Sequence, residues 1–198
     1  MVASTVVTVP YGKLPLEAAE KFVKSKGARR MIGQGCYGAV WASNEGKRGS
    51  GNRVYKVCNT EKNRTAYLPY VQVCIDELKG NTHVPRIYSV TEFVAADIYR
   101  EDDYTVICME KLAPVGEPNG NPLNGCGYTF ESGEHFNSMN MMYDTVRHGT
   151  NKDKFNPEMF KALEVIGHVQ RKWSCCLDIH SGNVMLRGNI LVITDPLS

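Results

Sequence analysis

The chain lacks the features that mark membrane, secreted and repeat proteins. No uninterrupted apolar run in its 198 residues approaches the roughly 18 residues of a membrane-spanning helix. The first ten residues have no basic segment and too few apolar residues for the core of a secretory signal. No repeat with a period of about 20 to 50 residues is visible, which excludes solenoids. We therefore expect a globular chain that is not associated with a membrane.

An excess of charge of one sign is also missing. The 23 basic residues nearly balance the 21 acidic ones, and the net charge of +2 is too small to favour nucleic acid as a partner. The seven cysteines form no C-x-x-C motif, and none of the five histidines lies two to five residues from another. Such cysteines are typical of a reducing cytosol, and a structural zinc site needs ligands at short, paired spacings. We expect a cytosolic chain without a structural metal.

Length and composition favour an ordinary folded protein. The chain is 42% hydrophobic and 22% charged, which is inside the range of globular domains. A chain of this length forms one domain or two small lobes around one cleft.

The first part of the chain alternates in the manner of β-strands. Short runs rich in β-branched and aromatic residues predict four strands, at about residues 39–41, 53–57, 86–90 and 104–109. A stretch rich in Gly, Ser and Asn predicts a hairpin loop over residues 43–52. Apolar spacings of three and four predict one helix between the second and third strands, from about Glu61 to Lys79. The predicted order is β, β, α, β, β.

The second part is predicted to be mainly helical. Proline, glycine and asparagine are frequent in residues 113–127, which indicates a surface loop or a segment between lobes. One helix is predicted around residues 136–146, and another follows Asn156, a plausible cap, with Pro157 in its first turn. Residues 176–195 predict a polar loop and two short strands around a turn, the second strand ending at an acidic residue.

A glycine motif stands before the first predicted strand. Gly33, Gly35 and Gly38 form, together with Val40, the pattern G-x-G-x-x-G-x-V. Glycines at such positions let backbone N–H groups approach phosphate oxygens without a clash of Cβ atoms. In dinucleotide-binding folds the same glycines open a helix, whereas a strand follows here. Taken alone, the motif is equally consistent with a flexible turn.

Four further polar residues follow the order that phosphoryl transfer requires. Lys56 lies in the middle of the second predicted strand, in the manner of a lysine that binds α and β phosphates. Asp178 and Asn183 have the spacing D-x-x-x-x-N of a catalytic loop, and Asp195 stands twelve residues after Asn183. Each match is weak alone, since a strand lysine is commonly a solvated surface residue. The combination indicates a single phosphoryl-transfer cleft.

With these motifs the chain resembles the protein kinase-like fold and, more narrowly, the early serine/threonine protein kinases of T-seven-like (autographivirus) bacteriophages. The resemblance covers nearly the whole chain, and its most specific blocks are residues 178–185 and 193–196. It implies an α+β, bilobal fold. Residues 1–112 would form an N-lobe with a small antiparallel sheet, one helix and the hinge, and residues 113–198 a reduced, mainly helical C-lobe.

The resemblance also implies a phage enzyme that uses ATP and Mg²⁺ in the host bacterial cytoplasm. Its substrates would be host proteins of transcription and RNA processing, such as RNA polymerase and ribonucleases. The oligomeric state is left open. Each site residue takes a role by its position in the motifs. The glycines and Val40 would cover the nucleotide, Lys56 would bind its phosphates, Asp178 would orient the attacking hydroxyl and accept its proton, and Asn183 and Asp195 would hold Mg²⁺.

The remaining carried-over roles concern adenine and one histidine. The Glu110 carbonyl and the Leu112 N–H would meet adenine, and Met185 would form the floor of its pocket, although core packing explains such a methionine equally well. His180 stands where many kinases place a lysine for the γ-phosphate. It either contacts that phosphate or fixes the loop by a backbone hydrogen bond, and we favour the second interpretation.

The chain departs from the family pattern at three points. Cys176 and Leu177 replace the expected His-Arg before Asp178, so activation by loop phosphorylation is not expected. Pro196 and Leu197 replace Phe-Gly after Asp195, which favours a fixed Asp195. The glutamate that pairs with the strand lysine is undecided, with Glu77 preferred over Glu61.

The sequence stops soon after Asp195, without the peptide-binding helices of a kinase. This indicates a shortened form of a longer protein, a compact kinase that builds its substrate site from residues 113–149, or a chain that binds nucleotide poorly and acts through a partner. Two alternatives to a protein kinase therefore stay open. One is a small-molecule phosphotransferase, and the other is a non-catalytic module that inhibits a host protein by binding it.

Overall fold

The protein is a mixed α+β chain with two sheets, and its residues fall into two compact units. The computed structural model describes residues 2–35, 38–43, 52–96, 103–114, 135–150, 152–180 and 182–198. The first unit consists of Met1–Arg64 and Arg86–Lys111, and the second of Thr65–Pro85 and Leu112–Ser198. The expected division after residue 112 lies next to one of these boundaries. Residues 65–85, which we expected in the first lobe, group with the second unit.

The first unit contains a six-stranded sheet. Its strands are β1 (Ala3–Val9), β2 (Ala28–Gly35), β3 (Gly38–Ser43), β4 (Arg53–Asn59), β5 (Ile87–Ala95) and β6 (Tyr104–Glu110). They lie in the order β1-β5-β6-β4-β3-β2. All neighbours are antiparallel except β1 and β5, which are parallel. The four predicted strands are confirmed as β3 to β6, and the predicted hairpin loop falls almost entirely outside the described residues.

Helix α1 (Pro15–Ser25) covers one face of this sheet. Ala19 and Val23 are fully buried on the helix, and they pack in one cluster with Val57 and Val106 of the sheet. The Phe22 ring meets the Phe93 ring edge to face, with 5.5 Å between the centroids. Burial of apolar side chains on this face stabilises the unit by roughly 25 cal/mol for each Å² removed from water.

The expectation of a small antiparallel sheet with one helix is confirmed only in part for this unit. Strands β1 and β2 and helix α1 were not predicted, and β1 adds a parallel pair. The signals were present in the sequence: residues 4–9 are almost all β-branched, and Pro15 begins a helix whose apolar residues recur with the helical period. The glycine motif thereby lies on two paired strands, with Gly33 and Gly35 in β2.

The single helix predicted from about Glu61 to Lys79 was wrong. The chain forms two helices, α2 (Thr60–Asn63) and α3 (Tyr67–Asp76), with turns between them. Pro69 provides the physical reason, because proline inside a helix lacks an N–H donor and its ring clashes with the preceding turn. Restarting the helix at Tyr67 places Pro69 in the first turn, where neither cost arises.

The second unit combines α3 with two longer helices and a small sheet. The helices are α4 (His135–His148) and α5 (Pro157–Trp173), and the strands are β7 (Ala113–Pro114), β8 (Val184–Arg187) and β9 (Ile190–Ile193), in the order β7-β8-β9. The predicted cap is confirmed, since Asn156 Oδ1 accepts a hydrogen bond of 2.8 Å from Met159 N. Of the predicted loop at 113–127, residues 115–127 lie outside the described part.

One segment of the second unit holds its helices and strands together. His83 is buried; its Nδ1 lies 2.8 Å from Leu191 O, and Asn156 Nδ2 lies 3.0 Å from its Nε2. The Arg187 guanidinium donates to Thr82 O at 2.6 Å and to Val84 O at 2.9 Å. Residues 82–84 are therefore fixed to the start of α5 and to both strands of the β8–β9 hairpin.

None of the described helices is long and apolar enough to cross a membrane.

Candidate active site

The expected nucleotide-binding residues of the first unit share one face of its sheet. The registers pair Gly33 with Val40, Val40 with Lys56, and Lys56 with Ile107. Directly opposed residues of antiparallel strands project to the same face. This face is the one opposite α1, because the residues that pack against α1 alternate with these along the strands. We call Gly33, Gly35, Gly38, Val40 and Lys56 the sheet set.

The three glycines of the sheet set are not equivalent. A Cβ on Gly38 would lie 2.6 Å from the backbone oxygen of Val57, so the close approach of β3 to β4 requires glycine there. A Cβ on Gly33 or Gly35 would have no heavy atom within 4 Å in the described structure, and neither residue has a positive φ. The fold therefore explains Gly38 and gives no conformational reason for the other two.

The residues expected to form a hinge, Glu110 and Leu112, lie at and just after the end of β6. The Glu110 side chain is buried and its Oε1 accepts a hydrogen bond of 2.8 Å from Arg86 N. The next backbone N–H, that of Lys111, donates to Asn52 O at 2.8 Å. The Glu110 carboxylate therefore binds the backbone just before β5, which is a structural role. Leu112 is half-buried. Met185 lies in β8, opposite Pro114 and Val192.

Asp178, His180 and Asn183 lie before β8, and Asp195 follows β9; we call these four residues of the second unit the loop set. Backbone hydrogen bonds hold the segment before β8 beside the segment after β9. Cys176 and Ser198 exchange hydrogen bonds of 2.9 and 3.0 Å, and Asp178 N donates to Pro196 O at 2.7 Å. Residues 176–178 are therefore fixed to residues 196–198, which follow Asp195.

Asn183 links Asp178 to the Asp195 segment. Its Nδ2 donates to Asp178 O at 2.8 Å and to Asp178 Oδ2 at 3.0 Å. Its backbone oxygen accepts from Thr194 N and Thr194 Oγ1, both at 2.8 Å, and from Asp195 N at 3.4 Å. The side-chain NH₂ of Asn183 thus donates to Asp178. Its Oδ1, which is an acceptor, is the side-chain atom that could bind a ligand.

His180 holds residues 180–183 together by accepting hydrogen bonds from two backbone N–H groups. Its Nδ1 accepts a hydrogen bond of 3.0 Å from Gly182 N, and its backbone oxygen accepts from Asn183 N at 2.9 Å. Since Nδ1 is an acceptor, the ring proton lies on Nε2, where Asp178 Oδ1 at 3.5 Å is the nearby acceptor. Asn183 Nδ2, 3.0 Å from Nε2, is then a neighbour and not a partner, because both atoms carry hydrogen. The backbone hydrogen bond favoured from the sequence is present.

The strand before Asp195 is held from both sides. Ile193 N donates to His83 O at 2.9 Å, and the Tyr70 hydroxyl donates to Ile193 O at 2.5 Å. Burial, reinforced by the neighbouring Cys74 thiol, raises the pKa of Tyr70 well above its ordinary value, so the phenol stays a proton donor. Tyr70 and Thr194 were not singled out from the sequence. Thr194 stands directly beside Asp195, whereas nothing in the sequence marks Tyr70.

The oxygen atoms of the loop set are of the kind that Mg²⁺ prefers. Asn183 offers an amide oxygen and Asp195 a carboxylate, and magnesium binds few protein oxygens besides water and phosphate. No three His, Cys, Asp or Glu side chains meet as a metal cluster within the described ranges. That observation does not exclude a site formed by Asn183 and Asp195, because asparagine is not one of those four residue types.

The glutamate candidates occupy exposed positions. Glu61 pairs with Arg64 at 3.0 Å on α2, and Glu77 lies exposed just after α3. A cavity of about 330 Å³ is lined by residues that include Leu16 and Glu20 of α1, Trp41 and Tyr104, and also Gly35 and Gly38 of the sheet set. Lys56 is not among the lining residues of this cavity, because it projects to the face opposite α1.

The sheet set belongs to the first unit and the loop set to the second. Compared with known proteins, the chain matches no family model and no curated protein.

Proposed function

We propose that the chain is an ATP- and Mg²⁺-dependent protein kinase that phosphorylates serine or threonine of host bacterial proteins. In this proposal the two units are the lobes of a kinase-like fold. The observation that carries it is the position of Asn183, whose amide hydrogens engage Asp178 while its carbonyl accepts from the Thr194–Asp195 segment. This linkage joins three residues that phosphoryl transfer needs in fixed mutual positions.

Asp178 is the residue that acts on the attacking hydroxyl. Its side chain is 42% exposed, so a substrate can reach it, and Asn183 Nδ2 fixes one carboxylate oxygen. The substrate oxygen forms a bond to the γ-phosphorus, the bond from that phosphorus to the β–γ bridging oxygen breaks, and the hydroxyl proton passes to Asp178. Because the transition state is loose, orientation contributes more than basicity.

His180 and Thr194 keep this carboxylate and its neighbours in place. His180 accepts from Gly182 N and directs its Nε2 proton toward Asp178 Oδ1. Asn183 Oδ1 and the Asp195 carboxylate would hold Mg²⁺. When bound, the ion would neutralise charge on the phosphate oxygens.

The sheet set contributes the other half of nucleotide binding. A lysine on the same face as Gly33 and Val40 suits phosphate oxygens, which a compact ammonium binds as a point charge. Among the described residues, no heavy atom lies within 4 Å of a Cβ built on Gly33 or Gly35, which supports close approach of a triphosphate to their backbone. These glycines have no other conformational explanation in the described structure.

The proposal is tested by transfer of label from γ-labelled ATP in a bacterial lysate. The wild-type chain should label proteins, and Asp178→Asn should lower the rate by about 10³-fold, or roughly 4 kcal/mol. Asp153→Asn is the matched control, because Asp153 is exposed and forms an ion pair with the adjacent Lys154.

Three results contradict the proposal. Label in a metabolite indicates a small-molecule phosphotransferase. Absence of any label, with a host protein captured by the chain, indicates a non-catalytic module. Equal labelling by wild type and Asp178→Asn shows that the site is assigned wrongly.

A further inference from the structure

The two edges of the six-stranded sheet are built differently. Strand β2 forms one edge, carries Arg29 and Arg30, and shifts register twice against β3. Strand β1 forms the other edge and contains only Ala, Ser, Thr and Val, paired with β5 without a shift. Charges and bulges are the means by which proteins prevent sheet edges from pairing with other chains. β2 has both, and β1 has neither.

The outer edge of β1 is open to pairing. Among the described residues no strand pairs with that side of β1. Val6, at the centre of the strand, is 63% exposed, and residues 3–5 and 8 are exposed as well. An edge of seven uncharged residues offers its outward N–H and C=O groups to another extended strand.

We propose that β1 pairs antiparallel with β1 of a second copy of this chain, across a two-fold axis at Val6. A two-fold contact requires a surface that complements itself. An uncharged strand fulfils this requirement, because no like charges come to lie opposite each other. An axis at Val6 pairs all seven residues, so that Val6 faces its own copy, Ser4 faces Thr8 and Ala3 faces Val9.

A strand from a different protein fits β1 less well. Partners that add a strand to a sheet edge are selected by side-chain pockets or charges beside that edge. β1 itself carries only small, uncharged side chains, whereas self-pairing needs only the backbone and the matched β-branched residues. Pairing of one strand buries less than the roughly 1,200 Å² of stable complexes, so we expect dissociation in the micromolar range.

The test is the oligomeric state of the full chain, measured by sedimentation velocity from about 1 to about 200 µM, which brackets such affinities. Wild type should pass from monomer to dimer. Val6→Lys and Val6→Glu should each weaken the dimer at least about tenfold, because the axis brings the two new charges directly opposite each other. A one-to-one mixture of the two variants should restore pairing, since Lys then faces Glu. Met31→Lys is the matched control: it is an exposed apolar residue on β2, and its dimer should be unchanged.

Several outcomes overturn the proposal. They are a wild-type monomer over the whole range, a dimer weakened equally by Val6→Lys and Met31→Lys, and a mixture no stronger than either variant alone. Thermal unfolding of each variant separates loss of pairing from loss of fold. The mixture also remains decisive, because restored pairing requires both variants to be folded.

Discussion

The sheet set and the loop set are held in place by different physical means. Residues of the sheet set take their positions from strand register, so Lys56 is placed by backbone pairing of β3, β4 and β6. Residues of the loop set are placed by backbone hydrogen bonds together with side-chain ones, since Asn183 Nδ2 donates to Asp178 and Thr194 Oγ1 donates to Asn183 O. A side chain of the sheet set can therefore be replaced without moving its neighbours, whereas replacement in the loop set disturbs both geometry and stability.

The largest expected effect is on activity alone. Lys56→Met keeps an unbranched side chain on the same strand face, and it should lower phosphoryl transfer by about 10³-fold, or roughly 4 kcal/mol. The melting temperature should stay close to that of wild type. Lys62→Met, at an exposed position on α2, is the control and should retain full activity. A large loss of stability in Lys56→Met would contradict the contrast between the two sets.

The glycines divide the sheet set into a structural and a functional part. Gly38→Ala forces its Cβ against Val57 O and should destabilise the protein by about 2 kcal/mol, as overpacking does. A methyl group at Gly33 or Gly35 meets no described atom within 4 Å, so Gly33→Ala and Gly35→Ala should change the free energy of unfolding by less than about 1 kcal/mol. We expect both to weaken ATP binding. Denaturant unfolding and nucleotide titration of the three variants measure both quantities, and equal destabilisation by all three would refute the division.

Tyr70→Phe tests how the loop set depends on α3. The substitution removes only the hydroxyl and leaves the buried Ile193 oxygen without that donor, so a loss of about 1.5 kcal/mol is expected. Tyr11→Phe is the matched control, since Tyr11 is 82% exposed. Equal unfolding free energies for the two variants would show that the hydrogen bond does not stabilise the strand before Asp195.

The smallest effect is expected at Thr194. Thr194→Val preserves shape but removes the hydroxyl that donates to Asn183 O, at a cost of about 1 kcal/mol. Thr194→Ser keeps the donor and should recover most of that stability. Chemical denaturation of the pair provides the measurement, and a serine variant as unstable as the valine variant would assign the effect to lost packing instead.

Local pattern was enough to predict the strands β3 to β6 and the start of α5. Alternation from Arg53 to Val57 and the Asn156-Pro157 pair are signals carried by adjacent residues. The break at Pro69 was also readable, and we missed it because the apolar spacing continues across it. The N-terminal strand is a different case. Its pairing with β5 is parallel and spans more than eighty residues, so its partner cannot be found from neighbouring residues.

For the candidate site, the sequence predicts residue types and spacing but not the contacts between them. The D-x-x-x-x-N pattern identified Asp178 and Asn183, while the link from Asn183 to Thr194 depends on how the two strands of the β8–β9 hairpin meet. Tyr70 has no motif, since its role arises from a partner 123 residues away. Hydrogen bonds of this range depend on tertiary packing that no local signal encodes.

The second unit is discontinuous along the chain, and this has a consequence for its synthesis. Residues 65–85 leave the ribosome long before the strand residues that complete their hydrogen bonds, since Arg187 lies 105 residues beyond Thr82. Closing so large a loop costs conformational entropy before any contact compensates for it. The first unit has all its strands once residue 110 has emerged, so it is able to fold first. We expect the nascent polypeptide to carry α3 without its hydrogen bond to β9 until residues 190–193 appear, which makes that helix the natural target of a chaperone.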